Sequence, residues 1–290
     1  MTVRPYRIRA REIDERDIPA IVALLTKGFP VRGSAFWNQA LGVMQRRSVP
    51  SGFPRFGYLL ECNDAPVGII LQIFSITDAG PAPVARCNLS SWYVQPEFGC
   101  YAALLVSQAL RRKNVTYSNI SAAPHTWNTV EAQGFSRFSQ GIFVTAPALS
   151  FRSPGGDFRL VPGAACPDAK SNPHERELLL EHAQSGCITF WCITRDGAHP
   201  FVFLPRTVKG LLPCAQLIYC RDVEDFIRFA GAIGRYLAAR GRFVVLVDAN
   251  GPLPGLVGKY FEGKMPKYFK GPDQPRLGDL AYTEAALFGI

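Results

Sequence analysis

The sequence lacks the marks of several common protein classes. Its eight cysteines form no C-x-x-C pair and have no histidine beside them at metal-ligand spacing. The longest uncharged apolar run, Val67–Thr77, is too short to cross a bilayer, which takes about 20 residues. The amino terminus is charged and has no apolar core of a secretory signal. We therefore predict no metal site, no membrane span, and a cytoplasmic protein whose thiols are buried and reduced.

Long blocks of like charge are also missing. The chain carries a net charge of +9, from 32 basic and 23 acidic residues, but its densest basic run is only Arg111–Lys113. This run lies at the predicted end of a helix, where cations favour the helix dipole. The net charge suits an anionic ligand such as a nucleotide, whereas the lack of a longer basic block predicts no nucleic-acid partner. The segment Lys259–Lys270 alternates lysines with aromatic residues, which predicts an amphipathic strand pair with its lysines outward.

The chain does have enough apolar sequence for two domains. Apolar residues make up 48% of it and aromatic residues 12%, which is typical of proteins with folded cores. Its 290 residues suit two domains of about 140 residues each. The segment Ser150–Asp157 contains a proline and a pair of glycines, and we interpret it as the boundary between domains 1–150 and 151–290.

The first half is predicted to combine helices with β-strands. Asp14, with Asp17 three residues on, is a predicted cap for a helix whose apolar residues fall on one face. The β-rich segments Gly57–Glu61 and Val67–Ser75 are joined by turn residues, which predicts a hairpin. A third strand is predicted at about Ala85–Val94.

The most informative stretch is Trp92–Arg112. The third strand ends at Val94, a turn with Pro96 and Gly99 follows, and an Ala/Leu-rich helix is predicted to begin at once and to run to about Lys113. The first turn of such a helix leaves backbone N–H groups unpaired, and these donors together with the helix dipole favour phosphate. The sequence therefore predicts a phosphate site at this turn.

A similar order of elements recurs in the second half. Asn172 and Pro173 are a predicted helix start, and the turn Arg195–Ala198 is predicted to join a hairpin. Asp222 is predicted to cap a helix with an apolar stripe on one face. The residues of this stripe are Phe226, Phe229, Ala230, Ile233 and Leu237. The repeated order predicts a structural duplication.

Three places in the first half resemble the GNAT superfamily, the acetyl-CoA-dependent N-acyltransferases. Trp92–Phe98 is similar to the family's strand and its Val-x-Pro-Glu-Tyr/Phe approach to the CoA motif. Glu131–Phe135 is similar to the family's final helix followed by Gly-Phe, and a strand and helix open the chain. The resemblance covers about Ile8 to Val144. It implies an α/β fold of two GNAT-like domains, each a mixed, mostly antiparallel sheet flanked by helices, with the second domain a diverged repeat.

The resemblance also implies a function. The first domain would bind acetyl-CoA or another acyl-CoA and transfer the acyl group, by direct attack, to an amine of a small molecule or peptide. The backbone of Tyr93 and Val94 would pair with the pantetheine arm, and N–H groups of the following turn would receive the phosphates. The turn residues implied in this role are Phe98, Gly99, Cys100, Tyr101 and Ala102.

The chain departs from the family's pattern at two points. Counted from Pro96, the family's Arg/Gln position holds Gly99 and its next glycine position holds Cys100. The position of the family's proton-donating tyrosine holds Val130, which cannot donate a proton. Two alternatives therefore stay open: a non-catalytic GNAT-like binding or scaffold protein, and a tandem protein that takes its donor from charged tRNA, against which the lack of a basic block weighs.

No side chain is identified as a catalytic base. Glu61 at a strand end, His125 before the last helix of the first half, and Cys100 at the turn each have an ordinary structural interpretation. Ser90 and Ser91 could order a water or pack against a neighbouring element.

The corresponding turn of the second half is acidic. Asp222, Glu224 and Asp225 crowd its helix start, where they stabilise the helix but repel a diphosphate. We therefore predict that the second half does not bind CoA in the usual way and that it shapes the acceptor pocket or serves as a scaffold.

Overall fold

The computed structural model describes residues 7–77, 83–150, 157–165, 171–208, 210 and 212–289. The chain divides into two compact units. The first comprises Met1–Asn119 and Lys270–Asp273, and the second comprises Ile120–Phe269 and Gln274–Ile290. The predicted boundary segment Ser150–Asp157 falls inside the second unit, and its residues 151–156 lie outside the described part of the chain.

The described part of the first unit forms five strands and three α-helices. The strands are β1 (Ile8–Glu12), β2 (Gly57–Cys62), β3 (Ala65–Thr77), β4 (Val84–Val94) and β5 (Val115–Asn119). The helices are α1 (Ile18–Gly28), α2 (Ser34–Arg46) and α3 (Ala102–Ala109). Two 3-10 helices, Glu15–Asp17 and Pro96–Tyr101, precede α1 and α3.

Strands β1 to β4 of this unit pair antiparallel in chain order, and β5 then pairs parallel with β4. The predicted hairpin is confirmed: Cys62 pairs with Ala65, and the two turn residues between them, Asn63 and Asp64, have positive φ angles of 49° and 66°. Two such residues make the turn whose twist matches that of a hairpin. Asp14 is a cap, as predicted, but of the 3-10 helix Glu15–Asp17 that leads into α1: its side chain accepts from the N–H of Arg16 in a capping box, whereas α1 itself has no side-chain cap.

The described part of the second unit forms seven strands and four α-helices. The strands are β6 (Ser136–Thr145), β7 (Arg159–Pro162), β8 (Ile188–Ile193), β9 (Ala198–Val208), β10 (Leu212–Tyr219), β11 (Val244–Ala249) and β12 (Gly258–Lys270). The helices are α4 (Trp127–Ala132), α5 (Pro173–Gln184), α6 (Val223–Ala238) and α7 (Glu284–Phe288). The strand order is β12-β6-β11-β10-β9-β8-β7.

The main core of the second unit lies between α6 and its sheet. The five predicted stripe residues of α6 are fully buried, together with phenylalanines of β8 and β9. Gly234 on α6 lies so close to the 3-10 helix Pro147–Leu149 that a Cβ there would be 2.0 Å from the backbone nitrogen of Ala148. The periodic stripe therefore predicts which side of the helix is buried, and the glycine permits a backbone contact that the stripe does not reveal.

Each unit contains the same strand arrangement. Three antiparallel pairs followed by one parallel pair run from β1 to β5, and the same series runs from β7 to β11. A helix connects the two parallel strands in both units, α3 in the first and α6 in the second. The structural duplication itself stays a prediction, with which this repeated order agrees.

One predicted feature of the second unit is wrong. Lys259–Lys270 lies in the single strand β12 rather than in a strand pair, and only some of its lysines are outward. Lys259 and Lys264 are exposed, but Lys267 is 1% exposed, and its Nζ lies 3.8 Å from the buried carboxylate of Asp248. Burial raises the pKa of Asp248. A buried acid 19 residues earlier in the chain gives no local signal that Lys267 turns inward.

Candidate functional site

One edge of β4 is open over the last part of the strand. β4 pairs with β5 only from Ala85 to Asn88, and then continues to Val94. Among the described residues of the first unit, no strand pairing is found on this side of β4 from Ser91 to Val94. An unpaired strand edge presents N–H and C=O groups to which an extended ligand can bind like an added strand.

A β-bulge lies within this open part of β4. Ile69 of β3 pairs with Tyr93 and Leu71 pairs with Ser90, so that Ser91 and Trp92 together oppose one residue. Ser91 has a φ of 52°, and its hydroxyl lies 2.9 Å from that of Ser90. A bulge bends its strand and changes the direction of the following side chains. The two serine hydroxyls therefore lie at the bulge, beyond the last residue of β4 that pairs with β5.

The turn after β4 is a 3-10 helix from Pro96 to Tyr101, and α3 begins only at Ala102. The prediction that a helix follows the turn with Pro96 and Gly99 is therefore confirmed, but its predicted end at about Lys113 is wrong, because α3 ends at Ala109. Glycine is a poor helix former, and the 3-10 helix is the usual short, tighter alternative at a helix end. The structure nevertheless brings the five predicted phosphate-binding residues, 98–102, into one turn.

The predicted donors in this turn are already engaged, because the 3-10 helix Pro96–Tyr101 bonds its N–H groups to carbonyls three residues earlier. The N–H of Phe98 donates to Gln95 O at 2.9 Å, and the N–H of Ala102 donates to Gly99 O. Gly99, Cys100 and Tyr101 are the exposed residues among the five. A phosphate bound at this turn would therefore have to share N–H groups that already bond within the 3-10 helix.

The turn does not need the glycines that the chain lacks. No residue from Gln95 to Ala109 has a positive φ angle. A Cβ at Gly99 would have no atom within 4 Å. Cys100 therefore occupies its position without backbone strain, since a non-glycine residue is disfavoured only where φ is positive or space is missing.

The side chains of Tyr93 and Val94 pack inward and leave the strand backbone at the edge. The Tyr93 ring lies on Gly28, where a Cβ would be 2.4 Å from its Cγ, and is 6.3 Å from the Phe29 ring. Val94 contacts Gly68 of β3, at a position where a Cβ would lie 3.0 Å from the valine methyl. The two glycines therefore let these side chains pack closely and fix the end of β4.

No family model and no curated protein matches the sequence, but solved structures match the fold. A GCN5-related N-acetyltransferase (GNAT) from Anabaena variabilis superposes with a TM-score of 0.58 at 12% identity, over 91% of this chain and 72% of that one. The chain has the GNAT fold. A GNAT from Kribbella flavida matches with a TM-score of 0.54 at 15% identity, over 91% and 71% of the two chains. A probable N-acyltransferase from Enterococcus faecalis matches with a TM-score of 0.56 at 12% identity, over 94% of this chain and 73% of that one.

The three residues weighed for a role in proton transfer or as a nucleophile, Val130, His125 and Cys100, lie partly in the core and partly at the surface. Val130, at the family's tyrosine position, is buried in the second unit. His125 is exposed in the 3-10 helix Pro124–Thr126. Cys100 is exposed, whereas the six other cysteines that the structure describes are buried, and all seven are free thiols. Cys166 lies outside the described residues. None of these positions identifies a catalytic group.

Glu61 is neither a base in a cleft nor a solvent-exposed acid. It is 2% exposed and accepts from Arg9 Nε at 2.6 Å and from Arg11 Nε at 2.8 Å. Arg11 also pairs with Asp17 at 2.7 Å. Burial alone raises the pKa of Glu61, but the hydrogen bonds from Arg11 and Arg9 together hold this pKa below its ordinary value of 4.5. Both carboxylate oxygens are engaged in this ion-pair network.

We expect Glu61→Gln to lower the free energy of unfolding by about 1–3 kcal/mol at neutral pH, because two guanidinium groups lose their carboxylate. The folded-state pKa of Glu61 lies below its unfolded value. This stabilisation is therefore complete above pH 4.5 and is lost as the pH falls through the folded-state pKa. Urea unfolding of the wild type and of Glu61→Gln is measured at neutral pH and at steps below pH 4.5. The two free energies of unfolding are expected to converge as the pH falls.

Asp64→Asn is the matched control for this prediction. Its exposed carboxylate pairs with the same Arg9 at 2.9 Å, and such surface pairs contribute about 0–1 kcal/mol. If the difference in free energy of unfolding between the wild type and Glu61→Gln stays constant across the acid range, the ion pairs assigned to Glu61 are contradicted.

The corresponding edge in the second unit is covered by the chain itself. β10 and β11 pair only from Cys214 to Gln216 of β10. Beyond this point, Leu280 N–H donates to Ile218 O at 2.7 Å and Cys220 N–H donates to Gly278 O at 2.8 Å. Gly278 has a φ of 73°, and a Cβ there would lie 2.6 Å from the sulfur of Cys220.

The helix start beside this covered edge is acidic, as the sequence predicts. Asp222 caps α6 through the N–H of Glu224, and Asp225 lies in the same first turn. Asp225 pairs with His199 Nδ1 at 3.0 Å. The open edge is therefore found in the first unit, while in the second unit both the edge and the helix start are occupied. The sequence gives no signal for the covering segment, because it lies about 60 residues beyond β10.

Metal-ligand clusters and membrane-spanning helices are both missing from the residues that the structure describes. No group of three or more metal-ligating side chains lies together in this part of the chain. No helix within the described ranges is long and apolar enough to cross a membrane.

Proposed function

We propose that the chain is an acyltransferase whose first half binds an acyl-CoA and transfers the acyl group to an amine. The observation that carries this proposal is the open edge of β4 from Ser91 to Val94, which leads to the turn 96–101. A pantetheine arm contains amide groups and can pair with such an edge. Its diphosphate would then reach Gly99, Cys100 and Tyr101, with Phe98 and Ala102 beside them.

The reaction needs little covalent help from the protein. The acceptor amine attacks the thioester carbonyl, so that a C–N bond forms, the C–S bond breaks, and the thiolate leaves. The ammonium proton passes to solvent or to the thiolate. Holding the amine and thioester in reacting geometry supplies much of the acceleration. The backbone of Tyr93 and Val94 fixes the thioester arm in this proposal, and we assign no catalytic residue.

We further propose a tandem arrangement in which domains 1–150 and 151–290 descend from one GNAT-like unit. The repeated strand order supports this division. The second half would not bind CoA, because Gly278–Leu280 covers the edge of β10 and three acids surround the start of α6. Its role would be to support the first half or to shape its acceptor pocket.

A thermal-shift screen tests the proposed function. We expect acetyl-CoA, longer acyl-CoAs and CoA to raise the melting temperature, because a ligand at about 100 times its Kd adds about 2.7 kcal/mol of stability. NAD serves as the control, since it carries a diphosphate and adenosine without the pantetheine arm. Release of free thiol from the acyl-CoAs that bind is then followed with a panel of amines. No stabilisation by any CoA compound would refute the proposal, and binding without turnover would favour the non-catalytic alternative.

A further inference from the structure

Exposed apolar side chains gather at one end of the sheet of the second unit. Eleven large apolar side chains are exposed in the described part of the chain, and five of them lie here. They are Leu149, Val208, Leu212, Phe243 and Val257, each between 36% and 61% exposed. We call these five residues the apolar end. Proteins bury most side chains of this kind, so that a group of exposed ones indicates a contact surface.

The strand directions place these residues at the same end of the sheet. β6 and β9 end there and β10, β11 and β12 begin there, because β6 pairs antiparallel with β11 and β12, while β10 pairs parallel with β11 and antiparallel with β9. Val257 O accepts from the N–H of Ala146, directly after β6, at 2.9 Å. Arg242 Nη1 donates to Arg206 O at 3.2 Å, which joins the connection before β11 to β9. Since neighbouring strands lie about 4.8 Å apart, the apolar end extends across about 19 Å.

Basic residues accompany the apolar end, and acidic ones are missing from the segments that form it. The sequence has no aspartate or glutamate in 141–150, 198–221, 226–247 or 251–261. Arg240 is exposed and donates to Tyr236 O, while Arg242 is half-buried and donates to Arg206 O. In the described part of the chain neither guanidinium pairs with a carboxylate. Their charges are therefore available to an anionic partner.

The opposite end of the same strands differs in charge. β8 ends and β9 begins there, and the turn between them contains the exposed Asp196. β10 also ends there, followed by the exposed Asp222 and Glu224 at the start of α6. These acids lie beside arginines, so that this end carries both signs of charge. An anionic surface would attract the apolar end more strongly than the opposite one, which orients the unit toward it.

We propose that the apolar end binds the surface of an anionic lipid bilayer. Phe243 and Leu212 enter the boundary between headgroups and acyl chains, and Arg240 and Arg242 bind lipid phosphates. Apolar side chains bordered by arginines are the combination that interfacial segments use. The five apolar side chains stand on separate connections, and a fluid surface admits each of them without a matching pocket. This inference goes beyond the proposed function and does not depend on it.

The test measures sedimentation of the full chain with large unilamellar vesicles. One set contains phosphatidylcholine alone, and the other also contains phosphatidylglycerol as about a quarter of the lipid, which supplies the negative surface potential. We expect the Kd for the anionic vesicles to be at least about tenfold lower than for the neutral ones. Salt at about 1 M is expected to remove most of this difference, because the screening length falls to about 3 Å.

Charge variants assign the preference to the arginines. The double change Arg240→Gln with Arg242→Gln is expected to weaken binding to anionic vesicles by about tenfold or more, since each basic residue near such a surface contributes about fivefold. Lys264→Gln removes an exposed charge from β12 outside the apolar end and is expected to leave the Kd within about twofold. Melting temperatures report whether each variant is folded.

Apolar variants test insertion. Phe243→Ser with Leu212→Ser is expected to weaken binding to anionic vesicles by at least about tenfold, because two apolar side chains no longer leave water. Val31→Ser is the matched control, since Val31 is 94% exposed in the first unit, and it is expected to bind as the wild type does. Release of thiol from acyl-CoA without vesicles is expected to be the same in all these variants, which separates this surface from the acyltransferase site.

Several outcomes would overturn the proposal. One is equal binding to neutral and anionic vesicles, and another is anionic binding that survives both double changes. Soluble polyglutamate bound as tightly as the vesicles would identify an acidic protein as the partner instead. A dimer in sedimentation velocity that dissociates on Phe243→Ser with Leu212→Ser would identify a second copy of the chain. Each of the last two results replaces the bilayer as the occupant of this surface.

Discussion

Ala102→Trp is expected to weaken acyl-CoA binding by at least about a hundredfold and to remove the thermal shift. Ala102 is the first residue of α3, directly after the 3-10 helix Pro96–Tyr101. Helical side chains tilt toward the helix N-terminus, so that an indole at this position covers the turn. It would fill the space in which the phosphates approach Gly99, Cys100 and Tyr101. Ala102 is half-exposed, and the large side chain can therefore extend into solvent without entering the core.

Ser107→Trp is the matched control for this prediction. Ser107 is exposed on the same helix, beyond its first turn. Both variants are expected to melt within about 2 °C of the wild type without ligand, because exposed substitutions usually change stability by less than about 0.5 kcal/mol. Calorimetric titration with the acyl-CoA that binds best gives the affinities. Unchanged affinity in Ala102→Trp would show that the phosphates do not bind at this turn.

Gly234→Ala is expected to lower the free energy of unfolding by at least about 3 kcal/mol. In a helix, replacing glycine by alanine ordinarily gains about 1 kcal/mol. Here a Cβ would be 2.0 Å from Ala148 N and 2.5 Å from the carbonyl carbon of Pro147. These are backbone atoms, which cannot rotate away as the tip of a side chain can, so α6 must separate from this segment. The same helix covers the main core of the second unit, and its displacement loosens that packing.

Gly197→Ala tests whether any glycine replacement has this effect. A Cβ at Gly197 would have no atom within 4 Å, and the residue has no positive φ, so the change is expected to stay within about 0.5 kcal/mol. Urea unfolding of both variants and of the wild type gives the comparison. A Gly234→Ala protein as stable as the wild type would show that the close approach of α6 to residues 147–148 is not what the structure indicates.

Features set by neighbouring residues were predictable from the sequence. The Asp14 cap, the Asn63-Asp64 hairpin turn and the Asn172 cap of α5 depend on residues within a few positions of one another. The apolar stripe of α6 has the same local origin, because helical spacing places its residues on one side. The motif after β4 pointed to the GNAT fold for a related reason: strand, turn and helix follow one another directly along the chain.

Features set by distant residues were not predictable. Glu61 meets Arg9 and Arg11 from about 50 residues away, and its local sequence favours an exposed strand end. The cover of β10 by Gly278–Leu280 joins segments about 60 residues apart. The sequence predicts a turn after β4 but not its conformation, since it does not distinguish a 3-10 helix from other tight turns.

The sequence by itself determined several of the strands and helices, among them the β2–β3 hairpin and α6, where some of them are capped, and which superfamily the first half resembles. Spacing, turn residues and capping side chains act over a few positions, and their effect is the same wherever the segment lies in the fold. Only the tertiary structure decided that the edge of β4 stays open in the first unit while that of β10 is covered in the second. A strand edge is filled or left open by whichever distant segment can pair with it, and that pairing depends on how the whole unit packs.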